Sequence, residues 1–151
     1  MRALPLLLLL AFVAACGGED ERPDPRPDPR PEIVVRAWAE ALARGDIDAA
    51  TDRFAVPAIV VNGTPEIRLR TRAEVRFFND TLPCGGRVVA TRRREGFVIA
   101  TIRLTNRPGG DCGSGAGNTA KTAFQVRDGK IVRWIRIPLD GDPPRRSGPT
   151  V

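Results

Sequence analysis

Three thiols, Cys16, Cys84 and Cys112, are the most reactive side chains in this 151-residue sequence, which has no histidine and no tyrosine. Without histidine the chain lacks the commonest metal ligand, the commonest general base and any Ser-His triad. Nor does it contain the phosphate-cradling G-x-x-x-x-G-K-[ST] or the dinucleotide fingerprint G-x-G-x-x-G. Gly113-Ser114-Gly115-Ala116-Gly117 is glycine-rich but has no helix behind it, so it reads as a loop between strands. No metal and no cofactor is expected. Cys84 and Cys112 are too far apart for the C-x-x-C turn of a redox pair, and their fate depends on the compartment.

The N-terminus indicates that compartment. Met1-Arg2 precedes an apolar run over 4–12, followed by Gly17-Gly18-Glu19-Asp20-Glu21 with no stop-transfer pattern. A membrane span needs roughly 20 apolar residues, so residues 1–15 read as a secretory signal. Val13-Ala14-Ala15-Cys16 resembles a bacterial lipobox. The resemblance implies that Cys16 becomes the lipidated N-terminus, anchored on the extracytoplasmic face of the cell membrane through membrane lipid. A diacylglyceryl group supplies the two chains that stable attachment takes. With Cys16 acylated, two thiols remain in an oxidising compartment and one intramolecular pairing is open, Cys84 with Cys112. Closing that loop contributes roughly 3.5 kcal/mol on the chain-entropy model.

Residues 16–32 read as a tether. Arg22-Pro23-Asp24-Pro25-Arg26-Pro27-Asp28-Pro29-Arg30-Pro31 alternates proline with charge. Proline fixes its own φ and pushes its predecessor toward extended geometry, giving a semi-rigid polyproline II spacer of up to ~50 Å. Residues 140–151, with Pro143-Pro144-Arg145-Arg146, read as a disordered tail. Between them, 33–139 is long enough for one modest core. The chain's net charge of +6 hides a contrast: residues 17–32 carry −3, whereas the part from residue 33 on, with 20 Lys+Arg and 12 Asp+Glu, carries +8. Its cations are nearly all arginines spread over strand-like segments, as in Arg68-Leu69-Arg70 and Arg92-Arg93-Arg94. With no tyrosine to stack bases and an export signal, nucleic acid is not an expected partner.

Within the body, Ile33, Val34, Ala37, Trp38, Ala41 and Leu42 fall on one helical face. Gly45 is placed to end that helix, and Asp46 to cap a second one running to about Phe54, closed by Pro57. Strands follow at 58–61 and 66–70. Thr71-Arg72-Ala73-Glu74 is a capping box for a third helix, with Val75, Phe78 and Leu82 on its buried stripe. After Cys84-Gly85-Gly86 the period shortens to two, predicting strands over 87–94, 97–105, 119–127 and 130–138. Glu95-Gly96 and Asp128-Gly129 read as their tight turns. The class is α+β, with helices on one face of a mostly antiparallel sheet.

This order, with Leu42-Ala43-Arg44-Gly45-Asp46-Ile47-Asp48-Ala49-Ala50 and the terminal Asp128-Gly129-Lys130-Ile131-Val132-Arg133-Trp134, resembles the nuclear transport factor 2-like (NTF2-like, or SnoaL-like) superfamily. The resemblance implies a cone: three N-terminal helices packed on a curved sheet, with an apolar pocket at the open end. It also allows a homodimer through the sheet. The ketosteroid isomerase-type members use an aspartate base and an oxyanion hole of a tyrosine and a protonated aspartate. Aligned on Gly45-Asp46, those three roles fall on Trp38, Asn62 and the neighbourhood of Thr122, none of which can fill them. Asp52, Glu66 and Asp80 remain as acids, each read as a surface carboxylate near an arginine. The expected function is therefore non-catalytic: binding of a small apolar ligand by Trp38, Asn62, Phe78 and Trp134, or of an envelope partner. The alternative is an isomerase, cyclase or dehydratase with a relocated base.

Overall fold

A computed structural model of the chain describes residues 30–63 and 65–138. The segments read above as signal and tail, Cys16 and most of the segment read as a tether lie outside the described residues. Helix α1 spans Pro31–Ala43, α2 Ile47–Thr51 and α3 Arg72–Thr81. The strands are β1 (Phe54–Val61), β2 (Ile67–Leu69), β3 (Gly85–Arg94), β4 (Phe97–Thr105), β5 (Thr119–Arg127) and β6 (Lys130–Ile137). They form one six-stranded sheet in the order β2-β1-β6-β5-β4-β3. Only the β1–β6 pairing is parallel; all others are antiparallel.

Local chemistry sets most boundaries. Gly45 ends α1 in the left-handed region (φ 73°), where a side chain is disfavoured. Asp46 caps α2 by accepting from the Ala49 amide at 3.0 Å. The Thr71–Glu74 capping box is complete: the Thr71 hydroxyl accepts from the Glu74 amide, and the Glu74 carboxylate from the Thr71 amide. Both residues of each tight turn, Glu95-Gly96 and Asp128-Gly129, have positive φ, which suits the twist of the flanking strands. Irregularities at Phe54/Ile59, Val88/Ala90 and Gln125/Val126 interrupt the ladders and bend the sheet around the helices.

Four expectations change. The first helix begins at Pro31, two residues ahead of where its apolar period starts; proline suits the first helical turn because its missing N–H has no partner there anyway. Its buried stripe is Val34, Val35, Trp38, Ala39, Ala41 and Leu42, whereas Ile33 is exposed. The second helix stops at Thr51, and Phe54 opens β1 instead of closing a helix. Pro57 sits inside β1 after a cis Val56–Pro57 bond, in the stretch where pairing with β6 is interrupted. That is where a strand tolerates a residue without an N–H.

Alternation along the strands separates two cores. Val60, Val98, Ala100, Ile102, Phe124 and Trp134 face the helices and join Val35, Trp38, Leu42, Val75 and Phe78. Phe97, Ile99, Ala123, Ile135 and Ile137 form a smaller cluster on the opposite face. Cys84 and Cys112 are bonded, with Cα atoms 4.5 Å apart, linking the exit of α3 to the loop before β5.

Glu32, in the first turn of α1, closes the domain's entry. It accepts two hydrogen bonds from Arg93 of β3, at 2.5 and 2.8 Å, and these hold its carboxyl pKa at about 2 instead of 4.5. A carboxyl whose folded pKa is depressed contributes stability above its unfolded value and loses it as pH falls through the folded one. Arg93 is largely exposed, so solvent screens the pair and its net contribution is small. Glu32→Gln is expected to lower the urea midpoint at pH 7. The gap from wild type should shrink from pH 4.5 downward and vanish only below pH 2, as followed by circular dichroism.

Candidate functional site

An aromatic group lies at the centre of the concave face. Trp38 of α1 packs on Phe124 of β5 with ring centroids 5.2 Å apart and on Trp134 of β6 at 6.4 Å. Phe78 of α3 meets Trp134 edge-on at 5.2 Å and Phe54 at 6.0 Å. Such pairs each add ~0.5–1.5 kcal/mol beyond burial. The Trp38 indole N–H donates to Asn79 Oδ1 at 2.8 Å, and the Asn79 amide donates back to the Val75 carbonyl at 2.9 Å. Asn79 is fully buried, so this bond ties α1 to α3 in a place without water.

Beside this group a cavity of about 330 Å³ opens between α1 and the sheet. Trp38, Ala39 and Leu42 line it from α1, and Leu82 to Gly86 from the exit of α3. Ile102, Leu104, Ala120 and Trp134 supply the apolar floor. The polar groups are Asn62, Thr122 and Arg136. Register explains why they meet. Thr122 pairs with Arg136 across β5–β6, and Val61 lies beside Ile135 across β1–β6, which brings Asn62 next to Arg136. The three stand in one row across adjacent strands, one row beyond Val60, Trp134 and Phe124 on the same face.

Trp38, Asn62 and Trp134 thus come together at the cavity, along with Thr122. Phe78 does not line it. It sits in the layer behind, held edge-on between Phe54 and Trp134, because α3 directs it under the sheet's first strand and not toward the open end. Sequence reasoning missed Asn79 and Arg136. Asn79 lies one place after Phe78 on a helix whose apolar stripe alone was legible, and Arg136 looked like one more strand arginine. Register supplied the only available signal for Arg136, since it faces Thr122 across the last hairpin.

No carboxylate lines the cavity among the described residues. Asp52 pairs with Arg72 at 2.7 Å and Glu66 with Arg133 at 3.0 Å, both exposed to solvent. Asp80 is exposed at the end of α3. Among the described residues no group of three His, Cys, Asp or Glu side chains could hold a metal.

The cavity mouth is braced by Arg107, which is buried and donates to the carbonyls of Asp80, Leu82 and Pro108. The first two are carbonyls at the C-terminal end of α3, where a cation also meets the negative end of the helix dipole. A Cβ on Gly85 would lie 2.7 Å from the Ala43 Cα, and one on Gly86 2.3 Å from Ile102 Cγ2, so both positions require glycine for close packing.

The sequence matches no protein-family model and no curated protein. Solved structures do resemble the chain. A candidate polyketide cyclase from Sinorhizobium meliloti superposes with a TM-score of 0.55 at 17% identity, over 69% of this chain and 93% of that one. A candidate ketosteroid isomerase from Kribbella flavida gives 0.52 at 17%, over 76% and 82%. An NTF2-like protein of unknown function from Burkholderia xenovorans gives 0.52 at 20%, over 78% and 87%. The fold is therefore the NTF2-like α+β cone, with helices on a curved six-stranded sheet.

Removing Asn79 leaves the buried Trp38 N–H without an acceptor. Asn79→Ala is expected to destabilise the domain by about 2–3 kcal/mol. Phe77→Ala, at the neighbouring exposed position, should change stability by less than ~0.5 kcal/mol. Urea titrations of the two variants, read by tryptophan emission, check the contrast.

Proposed function

We propose that the chain is a lipid-anchored protein of the extracytoplasmic membrane face whose NTF2-like domain binds a small apolar molecule and leaves it chemically unchanged. The observation that carries the ligand reading is the cavity: about 330 Å³, walled mainly by tryptophan and aliphatic side chains, with a few convergent polar groups. Small-molecule sites have this size and composition.

The same wall argues against proton-transfer chemistry. General acid–base help is worth ~10²–10⁴-fold and an oxyanion donor ~10²–10³-fold. Trp38, Asn62 and Thr122 offer neither a base nor an acidic donor. The candidate cyclase and isomerase among the similar structures make an enzyme with a relocated carboxylate the alternative. That Asp52, Glu66 and Asp80 do not line the cavity speaks against it. The anchoring half of the reading rests on Val13-Ala14-Ala15-Cys16 and the short apolar run before it.

Two measurements test the halves separately. Cys16→Ala is expected to abolish acylation and to move the protein out of the detergent phase on partitioning; unchanged partitioning contradicts the anchor. Native mass spectrometry of protein taken from its own envelope should show one small molecule retained per chain. Steroid enones and polyketide-like substrates should show no turnover above buffer. Turnover that is lost on Asp52→Asn, Glu66→Gln or Asp80→Asn would establish the enzymatic alternative.

A further inference from the structure

We propose that the ligand is a small apolar acid whose carboxylate is held by Arg136. This rests on the ligand-binding reading above and names the chemistry of what the cavity accepts.

Arg136 is the single charged residue in the cavity wall among the described residues. Three described arginines are not fully exposed: Arg107, Arg133 and Arg136. Arg107 donates to three carbonyls, and Arg133 forms an ion pair with Glu66 through Nη2 while its buried Nε has no partner among the described residues. Arg136 has no ion pair and no side-chain hydrogen bond with any described residue, nor does the buried Thr122 hydroxyl beside it. A half-buried guanidinium beside an apolar cavity, with no anion in the wall, lacks the partner that desolvation calls for.

The missing partner is an acceptor. Arg136 has only donors, and the Thr122 hydroxyl and Asn62 amide can each add one. A carboxylate matches the fork of the guanidinium with its two oxygens and can take a further bond from the neighbouring hydroxyl. A cationic ligand would be repelled, and a neutral one would leave Arg136 uncompensated. A dianionic phosphate would face one cation alone. Behind the polar row the wall is apolar, so the ligand's body is hydrocarbon. At interior packing density of ~0.74, the volume suits a molecule of roughly a dozen heavy atoms.

The chain's only two tryptophans, Trp38 and Trp134, both line the cavity, so their emission reports its occupancy directly. The probes are 4-phenylbutyrate and 4-phenyl-1-butanol, which share a body and differ in the head. Binding to the mature full-length chain is measured by calorimetry and tryptophan emission at low ionic strength. The acid is expected to bind at least tenfold more tightly than the alcohol. Arg136→Gln should abolish that preference, weakening the acid far more than the alcohol, and Arg136→Lys should restore part of it. A wild-type circular dichroism spectrum and urea midpoint show that the variants are folded. Equal affinity for the two probes, or a preference that survives Arg136→Gln, overturns the assignment of a carboxylate but leaves an apolar ligand site intact. If neither probe binds or alters emission at millimolar concentration, the ligand-binding reading falls as well.

Discussion

The buried indole N–H of Trp38 and the buried carboxamide of Asn79 satisfy each other. A neutral hydrogen bond contributes a net ~0.5–1.5 kcal/mol, but an orphaned buried partner costs ~1–3 kcal/mol, so the pair acts more as a constraint than as a source of stability. It fixes the rotation of α1 relative to α3. Through Trp38 it also fixes the ring contacts with Phe124 and Trp134 and one wall of the cavity. The cavity stays open because the residues around it are pinned. With Trp38 held from the side, and Gly85 and Gly86 clamped between α1 and β4, few side chains are free to collapse inward.

What the sequence made legible was whatever its own local chemistry determines. The capping box at Thr71, the terminator Gly45 and the turn at Asp128-Gly129 act through backbone groups a few residues away, and each lies where its residue types place it. The period-two stretches likewise sort into two faces without help from the rest of the fold. Errors arose where tertiary structure overrides local preference. Phe54 reads as a helix end until one sees that β6 offers it a strand partner at Ile131. Glu32 reads as tether until Arg93, far along the chain, takes up its carboxylate. Of the cavity residues, the aromatic ones could be anticipated from size and hydrophobicity. Asn79, Arg107 and Arg136 could not, because their roles follow from partners, or the lack of one, that only the fold reveals.

Three of the buried or half-buried polar residues, Asn79, Arg107 and Arg136, show how differently one interior treats polarity. Asn79 is neutral and satisfied by one side chain and one carbonyl. Arg107 is a buried cation that relies on carbonyl dipoles at the end of a helix. Together with the Cys84–Cys112 bond it secures the segment between α3 and β3 from two directions. Arg136 is half-buried in the cavity wall and forms no ion pair with any described residue.

The position of β6 governs when this architecture can exist. The last strand of the domain lies between β1 and β5, and its parallel ladder with β1 joins Val60 to Trp134. In sequence β1 and β2 come before the rest of the sheet, yet their place in it is defined only by Lys130–Ile137. The β3–β4–β5 meander can pair without β6, and α1 packs directly on it, but β6 alone joins β1 and β2 to it. Completion of the sheet is thus a long-range event that awaits the last strand, the kind of topology that folds slowly. A domain cut short before β6 would keep its meander and lose the joint between its two ends.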